Sequence, residues 1–287
     1  MRRFIKLCKA LFLLPLYVYR THIRLEELKL TVWRFKRLVE LSLNEIPAVI
    51  PKGFRPCHPC NLRRVGRDAD GGYVVTEEAI RATEVLISYG IDFDWEFERE
   101  FSELSGARVF AYDRSTVDLL VGADEPERLR FNRFFDGQIA TFHGLFIGNG
   151  EHGTVRVSQT LQGHENKRVF IKFDIEGAEY EPAVFGDLLK LPPNVIGVVA
   201  EFHSFPGNVD RIRNLVKSSG FYVVHIHVNN GGGTSDDMLP NLIELTLLRE
   251  GYFRPSGEVH TYPLGVDRPC VASRRDMRLH FEDWSLR

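Results

Sequence analysis

Residues Val195–Arg249 read VIGVVAEFHSFPGNVDRIRNLVKSSGFYVVHIHVNNGGGTSDDMLPNLIELTLLR. The first eight, Val195 to Phe202, are apolar on both faces, as a strand covered by helices on each side requires. Val209 to Ser219 follows with helical spacing and is stopped by Gly220, a residue suited to the left-handed position after a helix. Phe221 to Val228 is strand again, and a strand–helix–strand unit predicts a parallel crossover. Leu242 to Arg249 is the next strand, preceded only by a Gly/Asn-rich loop of about a dozen residues with no room for a packed crossover helix. The last two strands are therefore predicted antiparallel.

The alternation continues upstream. Val85 to Tyr89 reads as a strand, Asp94 to Leu104 as a helix closed by Gly106, and Arg108 to Tyr112 as a second strand. Ile139 to Ile147 and Val169 to Phe173 are the third and fourth, and Ala178 to Leu191 is a helix stopped by Pro192-Pro193. The predicted fold class is α/β, a doubly wound, mostly parallel, Rossmann-like sheet with an antiparallel last strand, which suits a methyltransferase more than a nicotinamide enzyme. With 287 residues, 44% of them hydrophobic, the chain can bury a sizeable core unaided, and four cysteines do not make a secreted disulfide scaffold. Residues 62–250 are taken as the catalytic domain, 1–61 as a basic helical segment and 251–287 as a C-terminal extension without a clear pattern.

Ligands of open α/β sheets sit at the carboxyl ends of the strands. The first strand ends in Ser88-Tyr89-Gly90-Ile91-Asp92-Phe93-Asp94. Gly90 supplies a tight turn, but the other glycines of G-x-G-x-x-G are missing, and Asp92, Asp94 and Glu96 stand nearby. Two or three carboxylates within about 6 Å of a pyrophosphate repel it by a few kcal/mol at an effective dielectric of about 20. S-adenosylmethionine carries a sulfonium and an ammonium and no phosphate, so the acidic turn suits it and is hostile to NAD. The same acids also complement the positive end of the following helix. Tyr89, Gly90 and Asp92 are assigned to the cofactor on this reading. Asp113 ends the second strand 23 positions after Gly90; a carboxylate there either accepts the ribose hydroxyls of an adenosine or caps the next helix.

The fourth strand runs into Ile171–Glu181, IKFDIEGAEYE. This segment resembles the K-I-D-V/I-E-G-A-E hallmark of the FkbM-type methyltransferase family. Arg64-Val65-Gly66 with Asp70-Gly71-Gly72-Tyr73 is similar to the R-x-G…D-G-G-Y opening of that domain. Ile87 to Gly90 with Phe97-Glu98 is similar to the S-Y-G…F-E form of its first motif, Ala111-Tyr112-Asp113 to its ribose-binding acid, and Glu201-Phe202-His203 and the Glu244 strand to its later strands. The resemblance covers roughly residues 62–250. It implies an enzyme dependent on S-adenosyl-L-methionine that methylates hydroxyl oxygens on sugars or polyketides. Asp174 would then border the methyl group and Glu176 stand on the cofactor side. The first motif departs from the better-known D-x-G-A-N-x-G form, with Ser88 and Asp94 at the acidic and second-glycine positions, and the first 60 residues lie outside the resemblance.

Methyl transfer to an alcohol needs alignment and removal of a proton from the acceptor. His203, at the very end of the fifth strand, is the first choice of base because it titrates near neutrality, with a structural histidine as the alternative. Glu201, two residues earlier on the same face, is placed to orient it. His225 and His227 alternate on the sixth strand and with Glu201 or His203 form a conceivable metal set, but methyl transfer needs no metal and none is assigned. Asn229–Ser235 reads as either a mobile lid on the acceptor side or a plain connector.

Residues 1–40 hold ten Lys/Arg and three Asp/Glu, net +7, so the remainder is net −9 and offers no nucleic-acid surface. Ala10 to Tyr19 is apolar but too short to span a bilayer and lacks a small-x-small cleavage site. It is read as an uncleaved segment in which residues 1–20 lie at a membrane surface or dock on the protein's own core. Leu25, Leu28, Val32, Phe35 and Val39 mark an amphipathic helix. Cys57-His58-Pro59-Cys60 lacks the second half of a zinc site and a preceding redox strand, and is read as a structural turn. The chain is expected in the cytoplasm, at the inner face of a membrane if residues 1–20 dock there, with a small-molecule, glycan or glycolipid acceptor. The rival readings are a methyltransferase-like binding module without catalysis and an NAD-linked oxidoreductase.

Overall fold

In the computed structural model, residues 46–57, 59–258 and 260–283 are described. The N-terminal apolar run and amphipathic helix lie outside them. In chain order the strands are β1 (Ile46–Pro51), β2 (Leu62–Val65), β3 (Tyr73–Thr76), β4 (Val85–Tyr89), β5 (Arg108–Tyr112), β6 (Ala140–His143), β7 (Phe146–Ile147), β8 (Thr154–Val155), β9 (Val169–Phe173), β10 (Val195–Phe202), β11 (Tyr222–Val228), β12 (Ile243–Leu248) and β13 (Met277–Glu282). The helices are α1 (Glu77–Ala82), α2 (Glu96–Ser105), α3 (Ser115–Gly122), α4 (Glu125–Phe134), α5 (Val157–Thr160), α6 (Pro182–Leu188) and α7 (Phe205–Ser218).

Seven strands form the central sheet in the order β11-β12-β10-β9-β4-β5-β6. Neighbours from β6 to β10 run parallel, and β12 is inserted antiparallel between β10 and β11. This is a doubly wound, mostly parallel, Rossmann-like sheet with one antiparallel strand, as the short loop before β12 predicts. Burial explains the strand sequences: every residue of β4, β9 and β10 is buried. Local chemistry sets the helix ends. Thr76 caps α1 by accepting from the Ala79 amide, Gly106 ends α2 in the left-handed region, and Asp124 and Glu127 form a reciprocal capping box on α4.

Two expectations are corrected. Ile139–Ile147 is not one strand: β6 stops at His143, and β7 turns away to pair with β8 in a separate ribbon. The predicted helix Ala178–Leu191 is a 3-10 turn over Ala178–Tyr180 followed by α6, because Pro182 suits a helix start and not its interior. Residues 47–61 and 251–283 lie in one compact unit with the residues between them. Within it β1 pairs with β13, and Cys57 and Cys60 are free thiols near the Pro59–Pro255 bridge. No helix among the described residues is long and apolar enough to cross a membrane.

Candidate functional site

A cleft of about 790 Å³ opens at the carboxyl ends of β4, β5 and β9. Seven carboxylates line it (Asp70, Asp92, Asp94, Asp113, Asp174, Glu176 and Glu181) against two basic side chains, Arg67 and Lys172. Both cations are occupied. Arg67 pairs with Asp94 at 3.0 Å, and buried Lys172 donates to the Gly90 carbonyl at 2.6 Å and lies 3.4 Å from Glu98. Tyr112, Phe146 and Ile147 supply an apolar wall.

The turn after β4 shows how the chain does without the missing glycines. Gly90 has φ +75°, and a Cβ there would lie 1.6 Å from the Asp174 carbonyl oxygen, so no other residue fits. Asp92 and Phe93 also carry positive φ, 38° and 62°. That conformation is unfavourable for side-chain-bearing residues and needs outside support. Asp113 provides it: Oδ2 accepts from the amides of Ile91 at 2.9 Å and Asp92 at 2.8 Å. Its Oδ1 accepts from the Ser115 amide and hydroxyl and from the Thr116 amide. Burial raises the Asp113 pKa, but these bonds outweigh it and hold the carboxyl below its ordinary range. The oxygens expected to face ribose hydroxyls are thus filled by internal donors, and Asp113 both braces the turn and caps α3.

Tyr89 is corrected from the cofactor set. Its side chain is fully buried, its hydroxyl bonds Thr160, and its ring packs edge-on against Phe173. Tyr89 is turned into the core, while Gly90 and the turn after it line the cleft. Asp92 and Glu176 line the cleft as expected; burial and then the Asp113 charge raise the Asp92 pKa.

Of the three expected catalytic residues, Asp174 lines the cleft. Tyr73 donates its hydroxyl to Asp174 Oδ2 at 2.8 Å, while Oδ1 is buried with no hydrogen-bond partner among the described residues. Desolvation raises this carboxyl to about 6, with Lys172 and the Tyr73 bond opposing it. His203 and Glu201 lie outside the cleft lining, behind Glu176. His203 Nδ1 donates to Glu179 at 2.9 Å, and Nε2 lies 3.2 Å from Glu176 and 3.4 Å from Glu201. Burial disfavours the imidazolium, but the Glu179 bond and the surrounding carboxylates outweigh it and push the histidine up to about 9. A charged imidazole at neutral pH does not act as a base, which speaks against the role expected of His203. Glu201 is pushed up to about 9 by burial and by the charges of Asp174 and Glu244, and it accepts from Asn229 at 3.1 Å.

The metal set imagined from His225 and His227 with Glu201 or His203 does not assemble. Each histidine faces a carboxylate from the C-terminal segment: His225 lies 2.9 Å from Asp267, and His227 Nε2 lies 3.0 Å from Asp276. The Asn229–Ser235 loop is anchored at its start. Buried Asn229 bonds Glu201 and Asp70, buried Asn230 bonds Val271, Arg274 and Arg275, and a Cβ on Gly232 would strike Leu242. Glu179, a strand-end candidate in the sequence, holds His203, whereas Tyr73 and Lys172 were not expected at the site. The signal for both was present, since Tyr73 closes the D-G-G-Y stretch and Lys172 shares a strand face with Asp174.

No protein-family model and no curated protein sequence matches the chain. Solved structures with a similar fold include a precorrin-6y C5,15-methyltransferase from Geobacter metallireducens GS-15, at 13% identity and TM-score 0.35, covering 60% of this chain and 84% of that one. Methyltransferase FkbM from Methylobacillus flagellatus KT is similar at 13% identity and TM-score 0.38, over 57% of this chain and 44% of that one. The chain thus spans less than half of that protein. An S-adenosylmethionine-dependent methyltransferase from Mesorhizobium loti is similar at 10% identity and TM-score 0.34, over 59% of this chain and 93% of that one. The likeness concerns the fold alone.

Proposed function

We propose that the protein is an S-adenosylmethionine-dependent methyltransferase that acts on a hydroxyl oxygen of a saccharide, glycolipid or related metabolite. The observation that carries this reading is the charge of the cleft: seven carboxylates line it, and its two cations are already paired. Such a site favours a cationic ligand without phosphate and disfavours a dinucleotide. Bound there, the cofactor supplies an electrophilic methyl group on sulfur. Asp92, Asp174 and Glu176 would hold its charged and hydroxyl-bearing parts, Tyr112, Phe146 and Ile147 would form the apolar wall for its base, and Gly90 would allow a close backbone approach.

Asp174 is the proton acceptor in this reading. Asp174 lines the cleft and one of its carboxylate oxygens has no donor, so it has capacity left to accept a proton, and a carboxyl at about 6 is ionised at neutral pH. Tyr73 fixes the other oxygen, and charged His203 balances the remaining acids. The test is incubation of the full chain with methyl-labelled S-adenosylmethionine and separated glycan and lipid extracts. Label transferred to a hydroxyl-bearing fraction, and lost with Asp174→Asn, supports the reading. Tight cofactor binding with no transfer to any fraction supports the non-catalytic module instead.

A further inference from the structure

One cluster lies apart from the cleft and plays no part in the mechanism above. His227 on β11 stands directly opposite Glu244 on β12, and Cys270 of the C-terminal segment closes over the pair. His227 Nδ1 is 3.0 Å from Glu244 Oε2, Cys270 Sγ is 3.2 Å from Glu244 Oε1, and one ligand atom from each residue lies within 4.8 Å of the other two. All three are buried, at 1%, 4% and 6% exposure. His227 Nε2, the nitrogen turned away from Glu244, is held by Asp276. That is the outer carboxylate which a metal-bound histidine characteristically carries on its second nitrogen. Across the sheet, Glu244 is also paired with Glu201, and Asp70 completes a second carboxylate group with them, so negative charge accumulates in a buried place.

We infer that His227, Glu244 and Cys270 form a binding site for a zinc-like divalent cation, with Asp276 as the positioning carboxylate. A nitrogen, a sulfur and an oxygen donor select a borderline-soft ion of the Zn²⁺ or Co²⁺ type over Mg²⁺ or Ca²⁺. The spacing agrees: metal–ligand bonds of about 2.0–2.3 Å in a tetrahedron put the ligand atoms roughly 3.3–3.8 Å apart, the two Glu244 contacts at 3.0 and 3.2 Å are a few tenths of an ångström short of that, and His227 and Cys270 lie within 4.8 Å of each other. Such an ion would pin the C-terminal segment to the sheet edge beside Asn229 and Glu201. The inference is independent of the methyl-transfer reading, because loading is measured without turnover. The test uses the full chain purified without chelator, analysed for zinc, then stripped and titrated with Co²⁺. Expected are about one equivalent of metal and a sulfur-to-cobalt charge-transfer band in the near ultraviolet. Cys270→Ser should lose that band, the Cys57→Ser/Cys60→Ser double variant should keep it, and Asp276→Asn should weaken Co²⁺ binding roughly 10- to 100-fold. A wild-type chain without stoichiometric zinc or a cobalt–sulfur band overturns the site, as does a band that survives Cys270→Ser.

Discussion

The two ends of the cleft are built from the same residue types and behave in opposite ways. At the ends of β4 and β5, Asp113 spends both oxygens on nearby backbone and hydroxyl donors, and its carboxyl is held below its ordinary range. At the ends of β9 and β10, Asp174 on the cleft wall and Glu201 and His203 behind it have few backbone donors, and all three titrate above their ordinary values, at about 6, 9 and 9. A carboxylate surrounded by amides shapes the backbone. A carboxylate surrounded by other acids and short of donors retains chemistry to perform.

This contrast is sharpest in mutants. Asp174→Asn keeps the shape and removes the proton acceptor, so methyl transfer should fall by about 10² to 10⁴ while cofactor affinity measured by calorimetry stays within a few-fold. Equal turnover would place Asp174 with Asp113 as a structural acid. Asp113→Ala should act the other way. It strands the amides of Ile91 and Asp92, each at a cost of about 1–3 kcal/mol, so thermal unfolding should show a marked loss of stability together with weakened cofactor binding. A variant with wild-type melting would mean that the positive-φ turn holds itself.

The pH dependence distinguishes the two ends as well. On the proposed mechanism kcat/KM rises as pH passes through about 6, where Asp174 ionises, and falls as pH passes through about 9, where His203 loses its proton. Tyr73→Phe removes a hydrogen bond that favours ionised Asp174, so the acidic limb should move to higher pH and turnover drop about tenfold. An unmoved limb would detach Tyr73 from the reacting carboxyl. The smallest effect is on stability. His203 is raised on folding, so its contribution is complete below its unfolded value near 6.5 and is lost as pH climbs toward 9. The stability gap between wild type and His203→Gln in denaturant titrations should therefore narrow over that interval, and a constant gap would contradict the charged state.

Legibility in the sequence follows the same division. The sheet could be read because burial on both faces writes itself as unbroken apolar runs, and the antiparallel strand because Asn229–Asn241 has no helical pattern. Gly90, Asp92 and Asp174 could be placed because strand ends face the site whatever the tertiary detail. The His203 environment could not be read. Its partners Glu176, Glu179 and Glu201 come from two different strand ends, and a histidine's charge depends on how many carboxylates converge on it, which spacing along one strand does not reveal. Tyr89 misled for a related reason: adjacency to Gly90 suggested the cleft, but alternation buried it. The C-terminal segment carried no periodic signal because it works through single residues, Asp267, Cys270 and Asp276, each reaching a side chain on β11 or β12.

The central claim is that this acidic cleft takes a cationic, phosphate-free cofactor. Calorimetric titration of the full chain with S-adenosylmethionine and, separately, with NAD tests it most directly. The account predicts one-to-one binding of S-adenosylmethionine in the micromolar range and no measurable heat with NAD; saturable binding of NAD, or none of S-adenosylmethionine, would contradict it.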